Sequence, residues 1–120
     1  MGEVRNICGR PVYVCADEGP SLADNHELSG LIGDLFSLSV RVVAIPLARL
    51  GPDFLKLSSG VAGEVLQKLV NYRVHVAILG DISAAQARSA PLRDFIRESN
   101  RGQTVWFVDD LEALAAKLTG

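Results

Sequence analysis

Cysteine and histidine are scarce in this 120-residue chain, which has only Cys8, Cys15, His26 and His75. Scattered in this way they form no metal-ligand spacing, which argues against a Cys/His metal centre. Two cysteines are too few for a disulfide-dense secreted scaffold. Each reads as a small buried apolar side chain in a reducing cytoplasm. No apolar run approaches the roughly 20 residues that a bilayer crossing needs, so no membrane partner is expected. The start, MGEVRNICGR, lacks the apolar block of a secretory signal, and Asn6 stands where a myristoylation signal carries Ser or Thr. A basic excess is missing too: Lys and Arg number 12 against 14 Asp and Glu, a net charge of −2. That balance speaks against a general nucleic-acid binder. No lysine follows Gly60 and Gly63 as in a phosphate-binding loop. No nucleophile elbow surrounds Ser59, so a Ser59–His75–Asp81 triad has no pattern behind it. No cofactor is expected.

What is present is apolar patterning. At 48% hydrophobic residues the chain can bury a core without staples, and its length fits one domain over residues 1–120. Strand-like runs cover Val12–Ala16, Val40–Ile45, Val74–Leu79 and Thr104–Val108, with Val4–Ile7 paired to the first across a Cys8-Gly9-Arg10-Pro11 turn. Between them apolar residues recur at helical spacing: Leu28, Leu31, Ile32 and Leu35; then Val61, Val65, Leu66 and Leu69. Leu92, Phe95, Ile96 and Ser99 follow, and Leu111, Leu114, Ala115 and Leu118 close the chain. Strands without clean polar alternation are covered on both faces. Alternating strands and helices therefore predict an α/β domain with a mixed, mostly parallel sheet of four to five strands and about four helices.

Three loops that follow strands carry acids: Asp17-Glu18, Gly80-Asp81 and Asp109-Asp110. Ligands of open α/β sheets bind at such carboxyl-end loops. Asp17, Asp81 and Asp109 gathered there would suit Mg²⁺, a hard cation that takes oxygen ligands. Capping explains the same residues without a ligand: Ser83 with Gln86, and Asp109 with Glu112, have capping-box spacing. Ser58, Ser59, Gly60 and Gly63 open the central helix. Ser59 is the expected N-cap, and the small residues leave backbone N–H groups open to an anion or a partner carboxylate. Arg93, Arg97 and Arg101 recur every four residues and share one helix face, balanced by Asp94 and Glu98 or by a partner anion. Gly102 is the expected left-handed terminus of that helix. His75 reads as a packed, hydrogen-bonded residue rather than a catalytic base, and Trp106 and Phe107 as core or interface residues.

The segments AGEVLQK, NYRVHVAILGD, RDFIRESNRG and VWFVDD together resemble an uncharacterised bacterial family, domain of unknown function 4180, from about Pro46 to the C-terminus and more weakly before it. VVAIPLARLGPDFLKLSSGVAGEVLQKL is more distantly similar to the strand–loop–helix of STAS domains, the anti-sigma-factor antagonist type. That resemblance implies a STAS-like fold with Ser58 at the switch-serine position and Gly80 ending the next strand. Leu57 stands where those domains carry Asp, so the acid that a kinase reads is missing. The implied function is a non-enzymatic, cytoplasmic interaction module that presents Ser58–Gly63 and the Arg93–Arg101 helix to a protein partner. The alternatives are a small-molecule or nucleotide-binding protein that holds an anion at the same helix start, and a Mg²⁺-dependent enzyme built on Asp17, Asp81 and Asp109. A homodimer through a sheet edge, or through an apolar face near Trp106, is a further expectation.

Overall fold

The computed structural model describes residues 2–119. Its strands are β1 (Gly2–Ile7), β2 (Arg10–Cys15), β3 (Val42–Pro46), β4 (His75–Leu79) and β5 (Val105–Val108). They lie side by side in chain order, with β1 antiparallel to β2 and each later pair parallel. The helices among the described residues are α1 (Asn25–Leu38), α2 (Val61–Asn71), α3 (Ser83–Arg88), α4 (Ala90–Arg101) and α5 (Leu111–Thr119). The expected mixed, mostly parallel α/β sheet is therefore present with five strands. The helices number one more than expected because the third is split. Ser89 is extended, ends α3, and then caps α4 by accepting from Leu92 N–H at 3.2 Å.

Alternation along the strands sorts the core into two layers. Tyr13, Cys15, Val43, Ile45, Val76, Ile78, Val105 and Phe107 point to one face and pack against α1, α2 and α4. Val12, Val42, Ala44, Ala77 and Trp106 point to the other and pack against Leu114 of α5. Successive parallel strands that advance in one direction through right-handed crossovers place their helices on the same face, and α5, which follows β5, packs on the other. All five residues of β3 are buried, as expected for a central strand covered on both faces. Among the described residues no helix is long and apolar enough to cross a membrane.

Several local expectations are corrected. The hairpin turn is only two residues, Cys8 and Gly9, at φ 53° and 82°. Positive φ at both positions matches the right-handed twist of the flanking strands. Both cysteines are free, as expected, but Cys8 is exposed at this turn, with Sγ 3.6 Å from Ala115 O; only Cys15 is buried. Asp110, not Asp109, caps α5: its Oδ1 accepts from Ala113 N–H at 2.9 Å. Asp109 lies one residue too early to reach the first turn. Gly102 is extended, at φ −84°, rather than left-handed. Trp106 does not offer an open apolar face. It is buried, with Lys117 Nζ 4.8 Å from its ring centre and Nε1 donating to Gly102 O at 2.8 Å. The exposed edge strand β1 carries a Glu3–Arg5 ion pair at 2.9 Å, and such edge charges discourage strand addition.

His75 is packed, as expected, but the hydrogen bond expected of its ring does not form among the described residues. Its ring meets Trp106 edge-on at 4.3 Å, and its Nε2 is buried without a hydrogen-bond partner. Burial, and secondarily Arg10, lowers its pKa below the ordinary 6.5. Below that value the unfolded chain binds a proton that the folded chain resists, so stability falls as pH drops from 6.5 toward the folded pKa. His75→Phe should flatten this stretch of the curve, measured as urea midpoints from pH 7 to 5; an unchanged slope would remove His75 as its source. Asp110→Ala should cost about 1 kcal/mol, and Asp109→Ala less than about 0.5 kcal/mol. Equal losses in the same urea titration would contradict the cap assignment.

Candidate functional site

The loops that leave β2, β3 and β4 all emerge at the carboxyl end of the parallel strands. A single side chain ties two of them together. Arg49 lies in the 3-10 turn Leu47–Leu50 just after β3 and is only 6% exposed. Its Nε donates to Pro20 O and its Nη1 to Ala16 O, each at 3.0 Å. Its own carbonyl accepts from Leu22 N–H at 2.6 Å. Gly19 packs onto the guanidinium so closely that a Cβ there would come within 3.0 Å of Cζ. Sequence reasoning missed Arg49. The available signal was a lone charge inside the apolar stretch that follows the most buried strand.

Ser58 and Ser59 share a 3-10 turn, Leu57–Ser59, and Gly60 precedes α2 at φ 79°, which an L side chain rarely adopts. Gly60, not Ser59, is thus the N-cap residue of α2. Ser59 stabilises the turn instead. Its hydroxyl lies 2.8 Å from Asp53 O and 2.7 Å from Lys56 O, and accepts from Val61 N–H at 3.2 Å. The helix runs to Asn71 and buries Val65, Leu66 and Leu69, with Val61 half-buried, as its stripe predicted. Ser58, Ser59, Gly60 and Gly63 are all exposed. Ser58 makes no side-chain hydrogen bond among the described residues, so its hydroxyl is uncommitted.

Ser58 lines a groove of about 650 Å³ together with Leu55, Leu57, Pro91 and Leu92 and the two cations Lys56 and Arg88. Lys56 is held loosely by Asp53 at 3.6 Å. Arg88 Nε donates to Ala84 O at 3.3 Å and forms no ion pair among the described residues. Sequence reasoning missed Arg88 because only the fold brings α3 beside residues 55–58. The arginine row expected at the site lies elsewhere. Arg93, Arg97 and Arg101 are exposed along α4, with Arg93 3.6 Å from Asp94 and Arg101 3.2 Å from Glu98. Arg101 turns toward a separate pocket with Arg10 and Lys117 at the opposite end of the sheet.

Asp17 and Asp81 line one crevice of about 640 Å³ beside the groove, and the two share Pro52 and Leu55. Asp109 does not line this crevice. Among the described residues no three carboxylate, histidine or cysteine side chains stand close enough to hold a metal ion, so the expected Asp17–Asp81–Asp109 cluster does not form. Asp81 instead bonds the first residue of α3 from the position before its N-cap residue, Ile82. Its Oδ1 accepts from Ser83 N–H at 2.9 Å and from the Ser83 hydroxyl, and these bonds hold its carboxyl below the usual range. Ser83 was the expected cap of α3; it stands inside the helix and donates.

The family model for a domain of unknown function (DUF4180) matches residues 8–118. The chain belongs to this family. The match begins well before Pro46, so in this DUF4180 domain it takes in β2 and α1 along with the C-terminal part, while β1 lies before it. No curated protein and no solved structure matches the chain.

Arg49→Met should cost about 1–3 kcal/mol, because it removes the donors to two carbonyls in a part-buried setting. Chemical denaturation reads this directly, and an unchanged midpoint would show that Arg49 is no strut.

Proposed function

We propose that this DUF4180 domain is a regulatory, non-enzymatic interaction module of the STAS-like type that receives a partner segment in the groove beside Ser58. The observation that carries this reading is the groove itself. Apolar side chains, two cations and an uncommitted exposed hydroxyl line one groove at the carboxyl end of the sheet. Apolar walls with a few polar groups are the usual make-up of a binding cleft. Lys56 and Arg88 favour a segment that pairs an apolar anchor with an acidic residue. The order β3, Ser58-Ser59-Gly60, α2, then β4 followed by Gly80 agrees with what the STAS resemblance implies. A bacterial cytoplasm is the setting this reading carries with it, which two free cysteines suit.

A negative charge at Ser58 would compete for Lys56 and Arg88 and repel an acidic segment. Selection from a displayed peptide library should therefore yield sequences with an apolar residue next to Asp or Glu. Ser58→Glu and Arg88→Glu should each weaken those peptides at least about tenfold, equivalent to about 1.4 kcal/mol, with the thermal midpoint unchanged. Selected peptides that bind both variants as tightly as the parent would sink the reading, as would a library that yields no enrichment.

A further inference from the structure

Arg49 is the one buried charged side chain among the described residues, and it has no ionic partner there. Its two hydrogen bonds go to neutral carbonyls; Nη2 makes none among the described residues and is not sealed from solvent, so it is open to a partner. Buried charges are ordinarily paired, and a carboxylate partner would add to what the two carbonyls supply. Arg49 also lines a cavity of about 290 Å³ that is distinct from the groove beside Ser58. Glu27, Gly30, Leu31 and Asp34, spaced at i, i+3, i+4 and i+7 on one face of α1, line the same cavity. Neither carboxylate is in an ion pair with the guanidinium. Tyr13 and Cys15 complete the polar lining. The Cys15 thiol is pushed up to about 11 by burial, which outweighs the pull of Arg49, so it is a neutral wall and not a nucleophile.

The cavity therefore carries one buried positive charge and two separate negative ones. Two carboxylates disfavour a multiply charged anion such as phosphate. A single carboxylate would satisfy Arg49 with a charge-assisted, bidentate pair. An ammonium on the same molecule would meet Glu27 or Asp34. We infer that this cavity is a binding site for a small zwitterion, a free α-amino acid whose carboxylate pairs with Arg49 and whose ammonium faces the α1 carboxylates. A Cβ at Gly30 would meet nothing within 4 Å, so the cavity wall is open at that point and a larger side chain there fills the ligand's space.

The test is a thermal-unfolding screen of the full chain against the free L-amino acids. Matched alkylamines, matched simple carboxylates and inorganic phosphate serve as controls. One or more amino acids at about 10 mM should raise Tm by at least about 2 °C, with no comparable rise from the controls. Gly30→Leu should abolish the rise, and Glu27→Gln with Asp34→Asn should reduce the affinity at least about tenfold. Both variants keep Arg49, so the loops it ties stay anchored. The proposal is overturned if no amino acid shifts the parent, if carboxylates without an amine or phosphate shift it equally, or if Gly30→Leu responds like the parent. None of these outcomes bears on peptide binding beside Ser58.

Discussion

Everything at the carboxyl end of this domain depends on the order of its strands. Because β2 to β5 follow one another across the sheet in chain order, each crossover returns on the same face, and α1, α2 and α4 form one continuous layer. The loops at the ends of β2, β3 and β4 are then neighbours by construction. Arg49 turns that proximity into fixed geometry by bonding the loop after β2 from the turn after β3. The 3-10 turn that bears Ser58 and the α3–α4 junction flank the same end, which is why a groove opens there.

The other sheet face is simpler. A single helix, α5, covers it, and the facing residues Ala44 and Ala77 are small and adjacent across β3 and β4. Small side chains there leave room for Leu114, which is fully buried. Asn100 attends to the outer strand: its Oδ1 accepts from Phe107 N–H at 2.7 Å and its Nδ2 donates to Phe107 O at 3.3 Å. One side chain thus satisfies a main-chain pair on the free edge of β5, and further strand addition at that point loses its hydrogen bonds.

The elements were legible in the sequence because burial leaves a period behind. The four helical stripes and the dense β-branched run of β3 are direct imprints of the two core layers. Caps were less legible, since adjacent acids such as Asp109 and Asp110 are equivalent in composition and differ only in where the first helical N–H groups fall. Groupings between elements left no local trace. Arg88 lines the same groove as Ser58, and Arg101 a different pocket, through the packing of α3 and α4 alone. The same holds for Asp17 and Asp81, which share a crevice that Asp109 does not line.

The account places the working surface at the end of the sheet that carries Arg49 and Ser58. The opposite end offers a rival: Phe36, Leu38 and Tyr72 are about half exposed, and Phe36 and Tyr72 meet edge-on at 5.8 Å. The most direct measurement is amide chemical-shift mapping of the ¹⁵N-labelled domain, titrated with a peptide that carries an apolar residue beside an acidic one. The account predicts perturbations concentrated at residues 52–60 and 85–92. Perturbations centred on Phe36, Leu38 and Tyr72, with residues 52–60 silent, would contradict it.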